Sequence, residues 1–180
     1  HVPLTCPSHA CLLTGRLPTR HGVRDNGGYV LAPDVPTLAE RFAAAGHRTA
    51  AFVSAFVLDR RFGLARGFGS YYDRVPGASA AAQGDPSERA VRAEQTIERA
   101  LAWLRQNGER PFFLWVHLFD PHHPYEPPEP FASRFRDDPY LGEIAYMDAQ
   151  LGPLLDAAAR RQALVAVMGD HGEGLGDHEE

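Results

Sequence analysis

The sequence contains no lysine, so all 18 of its basic residues are arginine. It has only two cysteines, Cys6 and Cys11, which are too few and too close together to form a disulfide framework. No apolar run is long enough to span a membrane, and no signal peptide is visible. The net charge of −5 gives no reason to expect a nucleic-acid partner. These absences exclude a small disulfide-stabilised scaffold and a basic nucleic-acid-binding protein.

Amphipathic helices alternate with apolar strands along the 180 residues. This alternation predicts an α/β fold in which a mostly parallel central sheet carries helices on both faces. After an opening helix that ends at Gly15, the pattern predicts helices over 36–47, 87–107 and 142–160. Thr37 and Ser87 are the expected caps of the first two. The predicted strands are 49–54, 111–118 and 163–168, and the small-residue segment 75–86 is a candidate linker.

A hydroxyl side chain, Thr5, stands just upstream of the opening helix. Free backbone N–H groups at a helix N-terminus attract anions, so a nucleophile placed there would meet a phosphate or sulfate that is already partly held. The alternative is a surface helix that simply uses Thr5 or Ser8 as its N-cap.

Two predicted strands run into sequences rich in chemically active side chains. The first leads into a stiff, proline-rich segment around His122, and an imidazole with an ordinary pKa of about 6.5 can give or take a proton near neutrality. The second leads into Asp170 and His171, an adjacent carboxylate and imidazole that suit a metal ion. The alternatives are a surface loop with incidental histidines and a glycine-rich turn without metal.

The opening run resembles the signature of the sulfatases, within the alkaline-phosphatase-like superfamily. That signature reads Cys-x-Pro-Ser-Arg, two free positions, then Leu-Leu-Thr-Gly-Arg. Thr5 stands where sulfatases have the cysteine that becomes formylglycine, and His9 stands where they have arginine. Cys6 is out of register, because Ser8 would then occupy the proline position. Thr-x-Pro-x-His looks instead like the threonine nucleophile of the phosphodiesterase and phosphotransferase branches.

The resemblance extends to later segments and implies roles for their residues. Asn26 would donate a hydrogen bond to a substrate oxygen, although it could equally be a turn residue before a glycine. His122, in a segment similar to Asp-Pro-His-x-Pro-Tyr, would contact the substrate and act as general acid. Asp170 and His171 open an Asp-His-Gly-Glu motif in which the family binds its metal, and Thr5 would complete that shell. His9 and His178 would contact the substrate.

By this resemblance the protein is a metal-dependent hydrolase of sulfate- or phosphate-type esters with a threonine nucleophile. The implied cofactor is a divalent ion, with calcium, manganese and zinc all open, and the implied substrate is a small-molecule, glycan-linked or lipid-linked anionic ester. The alternatives are a phosphodiesterase, phosphonate hydrolase or phosphotransferase of the same superfamily, and a non-catalytic anion-binding module.

The chain begins at His1 rather than Met, so we interpret residues 1–180 as a single, incomplete catalytic domain of a longer protein. The resemblance implies that an upstream strand and a C-terminal portion are missing. Periplasmic, secreted and membrane-anchored locations therefore all stay open, as does membrane association through segments outside this sequence.

Overall fold

The structure of the protein is a computed structural model that describes residues 2–74 and 90–176. Its helices are α1 (Thr5–Thr14), α2 (Pro18–His21), α3 (Leu38–Ala44), α4 (Ala93–Asn107), α5 (Phe131–Arg134) and α6 (Pro139–Arg160). Its strands are β1 (Arg48–Phe52), β2 (Ser70–Tyr72) and β3 (Phe112–Val116), and short 3-10 turns cover Phe56–Leu58 and Arg60–Phe62. Within the described part of the chain, no helix is long and apolar enough to cross a bilayer.

The three strands form one sheet in the order β2-β1-β3, and both pairings are parallel. Alternate residues of a strand point to opposite faces, so neighbouring positions of β1 enter different cores. Ala51 packs in one core with residues of α1, while Ala50 packs in the other with residues of α4 and α6. The predicted α/β fold, with a parallel sheet and helices on both faces, is confirmed.

The start of α3 follows the predicted capping pattern. The Thr37 side chain accepts a hydrogen bond from the backbone N–H of Glu40, and the Glu40 carboxylate accepts one from the backbone N–H of Thr37. This reciprocal pair satisfies two N–H groups that a helix start otherwise leaves without partners. The predicted helix over 36–47 is therefore present, with a shorter regular core.

The predicted start of the next helix at Ser87 is wrong, because α4 begins at Ala93. Ser87 itself lies outside the described residues. Upstream of α4 the backbone is extended and Val91 donates its N–H to the carbonyl of Ser54. The first turn of α4 is then capped from a distance, since the Asp120 carboxylate accepts a hydrogen bond of 3.0 Å from Ala93 N. A cap from a residue so far along the chain cannot be found by local pattern.

The predicted strand over 163–168 is also wrong, since the segment has no strand structure and Leu164 is 99% exposed. A strand requires a hydrogen-bonded neighbour, and β3 pairs only with β1 in the described sheet. The segment instead faces β3 across a groove of about 740 Å³. The predicted helix over 142–160 is confirmed and begins earlier, at Pro139, where Asp138 caps it. The candidate linker 75–86 lies outside the described residues.

Gly67 and Gly46 allow the close approach of the Gly67 backbone to the start of α3 to be tested. Both have positive φ, +84° and +82°, but an added Cβ at Gly67 would lie 2.1 Å from Glu40 N, whereas at Gly46 it would meet nothing within 4 Å. Gly46→Ala should lower the free energy of unfolding by about 1–2 kcal/mol through left-handed strain alone. Gly67→Ala should cost clearly more, because the clash is with backbone. Urea denaturation of both variants checks this, and equal losses would contradict the packing described.

Candidate active site

Helix α1 presents three polar side chains on one face. Residues three and four apart are neighbours on a helix surface, which places Thr5, Ser8 and His9 side by side. The N-cap residue is Leu4, and its side chain makes no capping hydrogen bond. The alternative in which Thr5 or Ser8 serves as the N-cap is therefore not observed, and both hydroxyls are available for other contacts.

The Asp170-His171 segment docks on this face of α1. Ser8 Oγ donates a hydrogen bond of 2.7 Å to the carbonyl oxygen of Asp170. The next residue, His171, brings its Nε2 to 3.3 Å from Thr5 Oγ1. The structure thus brings together side chains that lie 166 positions apart in the sequence.

The orientation of His171 determines what its Nε2 can do. Its Nδ1 lies 2.8 Å from the carbonyl oxygen of Gly172, and because a carbonyl only accepts, Nδ1 carries the proton. In the neutral form of the ring, Nε2 then carries the lone pair, and this nitrogen faces the Thr5 hydroxyl. This arrangement can accept the hydroxyl proton or ligate a metal ion.

Asp170 is the negative charge of the site. Its Oδ2 lies 3.4 Å from His9 Nε2 and 3.8 Å from His171 Nε2. Burial raises the pKa of the carboxyl, but the neighbouring His9 and His171 outweigh burial and lower that pKa well below its usual range. Asp170 is therefore a carboxylate at neutral pH.

His117 is a buried member of the site that the sequence analysis did not single out. It directly follows β3, and its backbone N–H donates to the carbonyl of Phe52 at the end of β1. Its ring centroid lies 5.0 Å from that of His9. Burial, assisted by His9, lowers the pKa of His117 to about 3, so its imidazole is neutral. The signal available in the sequence was its position at the carboxyl end of a buried parallel strand, where ligands gather.

Asn26 is brought to the N-terminus of α1. Its Oδ1 accepts a hydrogen bond of 2.8 Å from the backbone N–H of Cys6, the residue next to Thr5. One N–H group of the helix start thereby has a partner. With the oxygen engaged in this way, the amide nitrogen of Asn26 is the group left to donate elsewhere.

Other predicted residues lie around this centre or beyond it. The ring of His122 stacks on Phe119 with centroids 4.1 Å apart. Among the described residues, its side chain makes no hydrogen bond to Thr5 or Asp170. Tyr125 donates a hydrogen bond to Glu173, which ties the His122 segment to the Asp-His-Gly-Glu motif. His178 lies outside the described residues.

Cys6 is adjacent to Thr5 but is unsuited to act as a nucleophile. Its side chain is buried, and burial raises the pKa of the thiol to about 12. Only the thiolate is a strong nucleophile, so Cys6 is inert at neutral pH. Both cysteines are free thiols, and Cys11 Sγ lies 3.3 Å from His21 Nε2.

The predicted metal ligands fit a divalent ion in their chemistry and spacing. Oxygen and imidazole ligands stand about 2.0–2.2 Å from a zinc ion, which separates neighbouring donors by about 3–4 Å. Two distances in the site lie in this range. Thr5 Oγ1 is 3.3 Å from His171 Nε2, and His171 Nε2 is 3.8 Å from Asp170 Oδ2. Asp170 Oδ2 is also a buried atom without a hydrogen-bond partner among the described residues.

Comparisons with known proteins agree with this fold. The model of the sulfatase family matches residues 1–180. A search of curated proteins found no match. Several solved structures share the fold at low sequence identity.

The phosphonate monoester hydrolase of Silicibacter pomeroyi shares 19% identity at a TM-score of 0.69, with 97% of this chain and 55% of that chain covered. The lipoteichoic acid synthase LtaP of Listeria monocytogenes shares 19% identity at a TM-score of 0.62, with 89% and 42% covered. A Bacteroides thetaiotaomicron protein of glycosaminoglycan metabolism shares 20% identity at a TM-score of 0.64, with 88% and 46% covered. The chain thus spans about half the length of these structures.

The contact between Asn26 and the helix start gives a stability prediction. Asn26→Ala removes the acceptor for the Cys6 N–H and should lower the free energy of unfolding of the full chain by about 0.5–2 kcal/mol. Asn26→Asp keeps an acceptor oxygen at a position where the helix dipole favours negative charge, so it should retain most of the stability. Urea denaturation of the two variants and wild type measures the difference. An Asn26→Ala protein as stable as wild type would show that the amide is not bound there.

Proposed function

Because the chain belongs to the sulfatase family, we propose that it is the nucleophile-bearing part of a metal-dependent hydrolase of sulfate- or phosphate-type esters. The observation that carries the proposal is the contact of Thr5 Oγ1, at the N-terminus of α1, with His171 Nε2, at 3.3 Å beside the Asp170 carboxylate. A hydroxyl, an imidazole and a carboxylate thus lie together at the N-terminus of a helix, where the free backbone N–H groups attract anions.

Thr5 is the proposed nucleophile. An unmodified hydroxyl is a weak nucleophile and needs a group that removes or stabilises its proton. His171 Nε2 lies 3.3 Å from the hydroxyl oxygen, close enough for both atoms to bind one metal ion, and this supports the role. Attack by Thr5 Oγ1 on the central phosphorus breaks its bond to the leaving-group oxygen, which departs as the protonated alcohol. The threonine ester that remains is then hydrolysed by attack of water at phosphorus.

The proposed metal ligands are Asp170, His171 and Thr5. When bound there, a divalent ion supplies Lewis acidity that favours the deprotonated Thr5 oxygen and neutralises charge on the ester. The carboxylate form of Asp170 at neutral pH supports its part as a charged ligand. Calcium, manganese and zinc all accept oxygen donors of this kind.

The charge that develops on the ester oxygens needs hydrogen-bond donors in the transition state. Asn26 is proposed for this role because its oxygen is held by the Cys6 N–H, which leaves its amide nitrogen free to donate. His9 is proposed as a second contact because it lies on the same face of α1 as Thr5. His122 is proposed as the acid that protonates the leaving oxygen, and His178 as a further substrate contact.

The chemistry of the intermediate favours phosphorus over sulfur. Formylglycine allows a sulfatase to release sulfate by breaking a carbon–oxygen bond of a hemiacetal, and an unmodified threonine has no such route. A threonine phosphate or phosphonate can be attacked by water at phosphorus. The phosphonate monoester hydrolase among the similar structures is named for a substrate of this class. We therefore propose a phosphate diester or phosphonate ester, with glycan-linked or lipid-linked esters as the wider class.

A non-catalytic anion-binding module is the second candidate. The complete absence of lysine favours it, because the family lysines that contact a sulfate group have no counterpart in this sequence. The contact between Thr5 and His171 favours an enzyme, since binding alone does not require a base against a hydroxyl.

A paired comparison of esters tests the proposed function. The full-chain, metal-loaded protein should show a higher kcat/KM for an aryl phosphonate ester or aryl phosphate diester than for the matched aryl sulfate. Thr5→Ala should lower kcat by at least about 10³-fold, and Thr5→Ser should keep a measurable part because a hydroxyl remains. Thr14→Ala is the matched control, since Thr14 lies at the other end of α1 and, within the part of the chain that the structure describes, its hydroxyl bonds only to Ala10 O and Arg16 N.

Two results would contradict the proposal. Fastest turnover of the aryl sulfate by unmodified Thr5 would refute the choice of phosphorus. Absence of any ester turnover, combined with retained binding of phosphate or sulfate, would support the anion-binding module.

A further inference from the structure

We infer that His9 and His117 are metal ligands and that, together with Asp170, they form a nitrogen-rich site for a transition-metal ion of the zinc class. This ligand set differs from the one proposed for the reaction, in which Asp170 is combined with Thr5 and His171. In it His9 binds the ion through Nε2, so that only its Nδ1 is left for the substrate contact proposed above. The inference concerns metal binding and does not require that the protein hydrolyse an ester.

The three side chains come from three separate parts of the fold. His9 lies on α1, His117 follows the end of β3, and Asp170 belongs to the segment that docks on α1. One possible ligand atom of each lies within 4.8 Å of the others. His9 and His117 are both buried and Asp170 is partly buried. Such convergence of distant residues is how protein metal sites are built, and exposed clusters of acidic residues lack it.

Several buried polar atoms of this cluster lack hydrogen-bond partners, as expected if they bind the same metal ion. His9 is only 6% exposed, yet neither of its ring nitrogens has a hydrogen-bond partner among residues 2–74 and 90–176. Asp170 Oδ2 is unpartnered as well, although it lies 3.4 Å from His9 Nε2. The two atoms are close but not aligned as donor and acceptor. Leaving a buried polar group unpaired is destabilising, and a metal ion bound between the two atoms would remove that penalty.

The separation fits a common ion. Two ligands placed about 2.0–2.2 Å from zinc in tetrahedral geometry are about 3.3–3.6 Å apart. The 3.4 Å between His9 Nε2 and Asp170 Oδ2 lies in this range. Three protein ligands with a position left for water or substrate are typical of catalytic zinc sites.

The donor types select the metal. Imidazole suits zinc, copper, iron and nickel, whereas magnesium and calcium prefer oxygen ligands. Two imidazoles and one carboxylate therefore favour Zn²⁺ over Ca²⁺ and Mg²⁺. This narrows the choice left by the family resemblance, which allows calcium, manganese and zinc.

Neighbouring groups restrict the orientation of the His9 and His117 imidazole rings. His9 packs against Trp115 with ring centroids 5.1 Å apart, which restricts its rotation. The backbone N–H of Ser54 donates to His117 Nδ1 at 3.4 Å, near the long limit of a hydrogen bond. Ligation through Nε2 would require the tautomer with its proton on Nδ1, and this tautomer gives up the weak contact with Ser54 N. Without a metal, the same ring would instead keep a proton on Nε2, and this is the alternative that the experiment must exclude.

Metal content and cobalt spectroscopy of the full chain test the inference. Purified protein is stripped with a chelator and titrated with Zn²⁺, Ca²⁺ or Co²⁺, and the retained metal is measured by mass spectrometry. Zn²⁺ should be retained and Ca²⁺ should not, and Co²⁺ should give the visible absorption of a low-coordinate, nitrogen-ligated ion. His9→Gln and His117→Asn should each weaken binding at least about tenfold. His123→Ala is the matched control, because this exposed histidine lies outside the cluster.

Thr5→Ala and His171→Ala separate this site from the one proposed for the reaction. Both variants should retain the cobalt absorption if His9, His117 and Asp170 hold the ion. Loss of the absorption in these variants, with retention in His9→Gln and His117→Asn, would overturn the inference and leave the reaction site intact.

X-ray absorption spectroscopy of the wild-type protein tests the inference without any substitution. It therefore still applies if a variant with a substitution at buried His9 or His117 fails to fold. At half an equivalent of Zn²⁺, the spectrum should show two imidazole ligands per ion. A count of one or none would overturn the inference, as would a wild-type protein that retains no Zn²⁺.

Discussion

The site depends on the attachment of one late segment to the first helix. The hydrogen bond from Ser8 Oγ to the carbonyl oxygen of Asp170 fixes that segment, so that the Asp170 carboxylate and the His171 imidazole face α1. Without this attachment, Thr5 would be an ordinary hydroxyl at a helix start. With it, the hydroxyl has an imidazole nitrogen at 3.3 Å and a carboxylate nearby.

The sheet supplies the second constraint by bringing strand ends together. The carboxyl ends of parallel strands β1 and β3 lie side by side, and His117 follows β3 at this edge. Ser54, at the end of β1, donates its hydroxyl to the carbonyl of His117 and holds that residue in place. Ligand atoms of His9, His117 and Asp170 thus come within 4.8 Å of one another. Burial keeps His117 neutral, which makes its nitrogen available as a ligand.

Much of the fold and part of the site could be predicted from the sequence. Thr37 and Glu40 form their capping box as the local pattern indicates, and the two predicted strands that the structure confirms, β1 and β3, pair in parallel. The third strand, β2, was not predicted. The 163–168 segment was mistaken for a strand because an apolar run does not show whether a partner strand is available. His117 was overlooked because its role depends on His9, which lies 108 positions earlier, a contact that only the folded chain shows.

The central claim is that Thr5 is the nucleophile, and trapping its covalent intermediate tests that claim most directly. The metal-loaded full chain would be mixed with an aryl phosphonate or phosphate ester, quenched in acid within one turnover, and digested for peptide mass spectrometry. The account predicts that the phosphoryl or phosphonyl group is found on Thr5 and that none is found in Thr5→Ala. A group attached to another side chain, or rapid product release with no modified peptide, would contradict it.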